Sequence, residues 1–399
     1  MLDVAVARAR ILEKLSHCGP ETVSLASACG RVLAQPLTAR LSNPPVSVSS
    51  MDGYAARTED AKQGATLTVV GEAPAGHPTP LTLKAGQCIR LFTGSQIPAG
   101  ADTVLIQENI ERTGTLATLQ AAGRKGQFIR TQGQDFTAGQ PLLPAGKVLS
   151  ARDIGLAAAA GHVWLPVARK PRVGVLATGD ELILPGDPAK PDSIVNSGAL
   201  MVTAYLNSIG AEATMLPIAR DNMTSLSSAI AHAAHLDLLI TIGGASVGTY
   251  DLVRDALKPH GLALDFWRIA MRPGKPLMSG HLGTTPMIGL PGNPVAAMVC
   301  SLVFVAPAVQ TLMGIPVPTE LYTEPAILGA DVKENDKRQD FLRCTLSPQP
   351  NGQPPLATPF ASQDSAQLNI LAQSDALLLR APFAPAQNAG APCQIIRLP

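Results

Sequence analysis

Three glycine-rich loops in the middle third of the chain, each following or flanked by a short apolar run, constrain its fold most tightly. They are Thr178-Gly179-Asp180-Glu181-Leu182, Gly243-Gly244-Ala245-Ser246-Val247-Gly248-Thr249-Tyr250-Asp251 and Gly289-Leu290-Pro291-Gly292-Asn293-Pro294. Such a loop, at the C-terminal end of a strand, lets backbone N–H groups approach an anion, and the next helix N-terminus adds positive potential. Glu181, Asp221 and Asp251 sit in or near these loops. Acids beside anion cradles suggest a phosphate ligand handled through a divalent cation.

The segment around these loops alternates strand and helix. Residues 172–177 read as a strand, 197–209 as a helix closed by Gly210, and 212–218 as a second strand. A helix over 224–235, capped by Asp221 or Asn222, precedes a third strand at 237–242 that is apolar almost throughout, as a buried parallel strand should be. This order predicts a doubly wound sheet whose ligand sits at the carboxyl edge of the strands.

The flanks differ. Residues 47–134 carry short β-prone runs (67–70, 88–92, 103–107, 116–119) separated by Gly and Pro, the pattern of a small all-β module. Before it, Val4, Ala5, Ile11, Leu12 and Leu15 form a helical stripe that Pro20 ends; after it, 151–160 is Ala-rich and helix-prone. Residues 318–399 are strand and turn material, with 341–346 and 376–380 as strands. The expected fold is therefore a multidomain α/β chain. Residues 1–46 plus 135–169 form a discontinuous helical and mixed N-terminal linking or dimerisation domain, and 47–134 form an inserted β module. Residues 170–317 form a central doubly wound domain, and 318–399 a small C-terminal β domain.

At 399 residues, several domains are expected, and 46% hydrophobic residues suffice for real cores. A net charge of +1 gives no global field for nucleic acid or anionic membrane, so any anion site is local. Six scattered cysteines without a CxxC fit a reducing compartment. Met1–Ala5 lacks a basic segment leading into an apolar one, and the apolar stretch 295–309 is interrupted by Ser301 and Pro307, so a cytoplasmic protein with a buried helix there is expected. The seven histidines show no metal-ligand spacing; His232 and His235 lack a third ligand nearby.

Six ordered motifs resemble those of one family. They are Ser49-Ser50-Met51-Asp52-Gly53-Tyr54-Ala55, the stretch Thr93-Gly94-Ser95-Gln96-Ile97-Pro98-Ala99-Gly100-Ala101-Asp102, the loops at 178–182 and 243–251, Arg272-Pro273-Gly274-Lys275-Pro276, and the loop at 289–294. The chain resembles the molybdopterin molybdenumtransferases of the bacterial MoeA type, which are similar to the E domain of gephyrin. The resemblance spans nearly the whole chain. It implies that the central domain binds molybdopterin. The enzyme would take adenylylated molybdopterin and molybdate, cleave the adenylate, and leave molybdenum cofactor and AMP. It further implies Mg²⁺, an elongated homodimer with its cleft between the sheet domain of one subunit and the β module of the other, and a molybdopterin adenylyltransferase as upstream partner.

Carried onto this sequence, the resemblance makes Asp52, Thr93, Glu181, Asp221 and Asp251 catalytic, the last three as metal ligands. Gly243, Gly244, Ser246 and Gly248 would cradle the pterin phosphate. Arg268, Arg272 and Lys275 would recognise oxyanions, although the family usually has lysine at the first two, and a planar guanidinium fork is not a compact ammonium. Arg130 and Asp135 would line the cleft, and Arg343 and Ser365 would contact molybdate. Asp364 departs from a usually glycine-rich pattern and would repel an oxyanion. Asn293 would brace its turn. Trp267 and Phe266 either floor the pterin pocket or pack in the core. Plainer readings stand beside these: Asp221 as a helix cap, Asp52 in an Asx-turn, Arg130 and Asp135 as a surface ion pair. A non-catalytic molybdopterin scaffold and a tungstate-handling relative are the rival functions. The missing G-x-x-x-x-G-K-[ST] pattern argues against a P-loop phosphotransferase.

Overall fold

A computed structural model of the chain describes residues 1–231, 235–243 and 258–399. The chain forms two compact units: Met1–Glu21, Gly30–Ala34 and Val167–Pro399 in the first, Thr22–Cys29 and Gln35–Pro166 in the second. The segment expected as one linking domain is thus shared between them. Residues 1–21 join the first unit because Val4, Ala7 and Ile11 are buried in the same core as Val173 and Val175. Helix Val4–Glu13 that carries them is capped by Asp3, whose carboxylate accepts from Ala5 N at 2.8 Å.

The first unit is built on a six-stranded sheet in the order Glu212–Met215, Arg172–Ala177, Leu238–Ile242, Thr285–Leu290, Met278–Leu282, Leu262–Trp267. The first four strands are parallel; Met278–Leu282 and Leu262–Trp267 run antiparallel to their neighbours. Alternate side chains go to opposite cores. Val173, Val175 and Ala177 pack with Ala199, Val202 and Leu206 of helix Ser197–Ser208, whereas Leu176 packs with Leu226 and Ala229 of helix Met223–Ala231. Both faces are covered, so the sheet is doubly wound. Its strand order reverses between Arg172–Ala177 and Leu238–Ile242, which fixes the crevice for a ligand there.

Several elements are shorter than the sequence suggests. The strand expected over 212–218 ends at Met215, though Ala219 still bridges Thr178 in parallel. The strand Leu262–Trp267 ends before the basic segment, because Arg268 has φ 76° and turns the chain. The stretch Pro294–Leu312 has 19 residues and mean hydropathy 2.0, enough by composition to cross a membrane, but 83% of it is buried in this fold. It is a core helix. Its middle, Ser301–Val305, is wound as a π-helix, and the buried Arg8 guanidinium donates to Val303 O at 2.7 Å and to Pro318 O at 3.0 Å.

The C-terminal part of this unit is a closed barrel. Gln339–Ser347, Leu356–Pro359, Glu324–Leu328, Pro392–Arg397 and Ala376–Arg380 pair in that order, and the last returns to pair with the first. Closure removes sheet edges. Met271–Arg272 adds to its rim, parallel to Gln339 and Asp340.

The second unit holds another six-stranded sheet, ordered Thr103–Ile106, Gly53–Ala56, Gln87–Leu91, Thr66–Ala73, Leu116–Leu119, Ile110–Thr113. Its flanks pair with each other, Leu37–Thr38 antiparallel to Pro141–Leu143, so the β module is an insertion between them. Helix Ala151–Ala159 closes this unit with a Ser150–Asp153 capping box.

Candidate active site

A cavity of about 710 Å³ opens at the reversal point of the parallel sheet. Its floor is the carboxyl ends of two strands, Ala177-Thr178-Gly179 and Ile242-Gly243. Two helix N-termini face it. Asn196 caps helix Ser197–Ser208 through Ala199 N, and Asn293-Pro294 begins the core helix. Orphan N–H groups and aligned peptide dipoles at such ends favour an anion. Pro276, Pro291, Ala366 and Leu368 add apolar wall. Thr178 Oγ1 is buried and has no hydrogen-bond partner among the described residues, so it offers a hydroxyl to a ligand. Gly243 makes the floor possible: at φ 96° it is left-handed, and a Cβ there would lie 2.7 Å from Thr178 O.

Glu181 and Asp221 line the same cavity from different β–α junctions. Glu181 folds back over Gly179, close enough that a Cβ on Gly179 would lie 2.6 Å from its carboxylate. Asp221 is half-buried. Burial first, then the charges of Asp180 and Glu181, push its pKa above the usual carboxylate range. Asp221 is free of capping duty, because Ser225 N donates to Asn222 Oδ1 at 2.9 Å and Asn222 opens that helix. Clustered carboxylates of this kind supply hard oxygen donors for a divalent cation. No group of three or more His, Cys, Asp or Glu forms a metal cluster among the described residues. Asp251, Gly244, Ser246, Gly248 and His232 lie outside the described residues, whereas Gly243, Glu181 and Asp221 are brought together.

The basic segment is placed differently from expectation. Arg268 stacks on the Trp267 ring, its guanidinium carbon 4.2 Å from the centroid, while Phe266 is buried in the core. Arg272 is engaged by the barrel: Nη2 donates to Asp340 Oδ2 and, at 3.3 Å, to Asn335 Oδ1, with Asp336 Oδ2 3.6 Å from Nη1. It ties the rim strand to the barrel, because Asp340 is buried and needs a cation. Lys275 is exposed. Arg343 is 1% exposed, not a cavity wall, and burial lowers its pKa. Its side chain binds Gln363 Oε1, Gln367 O and Ser362 O at 3.3–3.4 Å, bracing the segment that carries Ser365. Ser365 Oγ accepts from Asn293 Nδ2 at 2.9 Å, so Asn293 braces the cavity through the barrel.

In the second unit, Thr93 donates to Asp52 Oδ1 through its N–H at 2.7 Å and its hydroxyl at 2.9 Å. These bonds hold the Asp52 carboxyl below the usual range. Asp52 is therefore clasped to the loop of Thr93. Asp135 accepts from Asn43 Nδ2 at 3.1 Å, and Arg130 is exposed on a short ribbon with Val48. The sequence reading did not single out Thr178 and Asn196, which line the cavity, or Asp180 and Arg220, which bond the turns bearing Glu181 and Asp221. The first two had a visible signal as the loop's first residue and a helix cap. The last two act through backbone groups, which leave no motif.

Fold and cavity define a ligand-binding α/β protein extended by two β domains. Residues 2–161 match the "MoeA N-terminal region (domain I and II)", 174–311 the "Probable molybdopterin binding domain" and 325–398 the "MoeA C-terminal region (domain IV)". A molybdopterin molybdenumtransferase of Nostoc sp. is 37% identical over 335 residues, covering 82% of this chain and 77% of the relative. One of Bacillus subtilis is 32% identical over 388 residues, covering 95% and 89%. The solved structure of a molybdopterin biosynthesis MoeA protein from Pyrococcus horikoshii superposes with TM-score 0.88 at 25% identity, covering 100% of this chain and 99% of the other. The chain belongs to the molybdopterin molybdenumtransferase family, enzymes of molybdenum cofactor biosynthesis.

Proposed function

We propose that this chain inserts molybdenum into adenylylated molybdopterin, taking molybdate and releasing AMP. The observation that carries this is the cavity at the sheet's reversal point, where an anion cradle and two carboxylates from separate junctions meet. The pterin's phosphate would rest against Thr178, Gly243 and the helix N-termini. Its ring would lie along the proline-lined wall. Glu181 and Asp221, with Asp251, would hold Mg²⁺. The cation fits here because burial first, and then the charges of Asp180 and Glu181, already disfavour ionised Asp221, and because Mg²⁺ is commonly bound by few carboxylates plus substrate phosphates. When bound, it would neutralise charge on the phosphoanhydride oxygens. Glu181 and Asp221 orient the anhydride, and the cavity's apolar wall limits water around it. One admitted water would add at the adenylyl phosphorus, the bridging oxygen would leave on the pterin's own phosphate, and AMP and protons would be released. As the two pterin thiols bond molybdenum, one oxo group of molybdate would leave with their protons as water. Catalysis is then mostly positioning and electrostatics.

Arg268 and Lys275 remain the proposed molybdate contacts, while Arg272 and Arg343 are proposed for it only at the cost of their present partners. Homodimerisation, which would bring Asp52, Thr93, Arg130 and Asp135 of a second copy to the cleft, belongs to this reading, as does an adenylyltransferase supplying the substrate. Six free cysteines support a cytoplasmic place. The test is incubation of the purified chain with adenylylated molybdopterin, with molybdate or tungstate, and with or without Mg²⁺. AMP release that needs both oxyanion and cation is expected. Ligand binding without AMP release under any condition would make the chain a carrier.

A further inference from the structure

Glu181 and Asp221 are separated by forty residues of chain, and what holds them together is a clasp made by the residues just before each. Arg220 Nη1 donates to Asp180 O at 2.7 Å and Leu182 O at 3.0 Å, the two carbonyls either side of Glu181, and lies 3.4 Å from Gly179 O. In return, Asp180 Oδ1 accepts from Asp221 N at 3.0 Å. Backbone bonds complete the seam: Ala219 N to Ala177 O at 3.0 Å and Gly179 N to Ala219 O at 3.1 Å. A guanidinium on converging carbonyls makes charge-assisted hydrogen bonds, about twice the strength of neutral ones. Without it, the carbonyls of Asp180 and Leu182 would turn to water, and only the Asp180–Asp221 bond and the backbone seam would tie the Glu181 turn to the Asp221 segment.

We infer that Arg220 is a positioning residue: it sets the Glu181 carboxylate relative to Asp221 by gripping the turn, and Asp180 completes the clasp from the other side. This rests on the reading above that Glu181 and Asp221 carry the chemistry. Arg220 is exposed, its two short bonds to Asp180 O and Leu182 O lie at the surface, and the part-buried Gly179 O is only a 3.4 Å contact, so the fold survives its loss. A misplaced carboxylate lowers the chemical step more than binding.

The experiment measures molybdate-dependent AMP release by Arg220→Met, Arg220→Lys, Glu181→Ala and the double variant Arg220→Met/Glu181→Ala, with melting temperature alongside. Arg220→Met should lower kcat about 10- to 100-fold, with KM and melting temperature little changed. Arg220→Lys should recover part of the loss, because a single nitrogen makes the close contacts. In the Glu181→Ala background, Arg220→Met should cost nothing more, since what it positions is gone. Arg220→Met with wild-type kcat, or losses that multiply in the double variant, overturns the inference. Should Arg220→Met not fold, Asp180→Ala gives the same readout, and unchanged kcat there overturns the clasp. An inactive Glu181→Ala beside a fully active Arg220→Met rejects positioning alone. A fully active Glu181→Ala rejects the catalytic reading and positioning together.

Discussion

Replacing Gly243 by alanine should damage the cavity floor through two separable costs. The first is backbone strain. Gly243 has φ 96°, and an L-residue held in the left-handed region loses about 1–2 kcal/mol. The second is steric. The new methyl would lie 2.7 Å from Thr178 O and 3.0 Å from Thr178 Oγ1, so a strand-end carbonyl in the hydrogen-bonded sheet must move; such overpacking costs about 1–3 kcal/mol. Gly186→Ala is the control, with φ 94° and nothing within 4 Å of the added carbon, so it carries strain alone. In a body of this size each kcal/mol lowers Tm by about 2–4 °C. Scanning calorimetry should therefore show Gly186→Ala melting about 2–8 °C early and Gly243→Ala about 4–20 °C early. The gap between them measures the contact with Thr178. Equal shifts, or a milder effect at 243, would refute the argument that close approach, not only torsion, requires glycine there.

Other parts of the fold give further expectations. Arg272→Ala leaves the Asp340 carboxylate, 4% exposed, without its cation; since Arg272 is itself half exposed the cost is about 1–3 kcal/mol, and adding Asp340→Asn should restore most of it in urea unfolding. Arg8→Met keeps an aliphatic stem but strips donors from Val303 O and Pro318 O, costing about 2–4 kcal/mol by thermal melting. Asp153 is opposed by burial, yet bonds from Ser150 and Lys147 hold its pKa at about 2. Its folded pKa is thus depressed below the unfolded value of about 4, so its stabilisation is complete above pH about 4 and lost as pH falls toward 2. Asp153→Ala should destabilise by about 1–2 kcal/mol at pH 7, and the difference from wild type should shrink across that window in pH-dependent melting.

Much of the architecture was legible because strand and helix periods are strong local signals. Arg172–Ala177, Ser197–Ser208 and Leu238–Ile242 were readable from apolar runs closed by glycine, and their order already located the ligand edge. The pairing of Glu181 with Asp221 followed from the same rule. What escaped was tertiary. Arg272 and Lys275 look like neighbouring oxyanion donors in sequence, but parallel pairing of Met271–Arg272 with the barrel gives Arg272 to Asp340, a partner 68 residues away. Arg343, carried over as a molybdate contact, lies on the face that the 360–367 segment covers. The sharing of residues 1–46 between two units was equally invisible, since the stripe of Val4, Ile11, Leu12 and Leu15 reads the same whichever core receives it; Ala5, counted in it, is exposed, and Ala7 is buried in its place. Arg220 speaks only to carbonyls, and every residue has one.

The most direct measurement is the rate of AMP release at saturating Mg²⁺ and molybdate for wild type, Glu181→Ala, Asp221→Ala and the double variant, with pterin binding determined in parallel by titration calorimetry. Each single change should cut kcat at least about 100-fold while binding is largely kept, and the double should be little worse than the poorer single, as for groups that act as one unit. Near-normal turnover in either single variant, with the same Mg²⁺ dependence, would contradict the claim that these two carboxylates form the reaction centre.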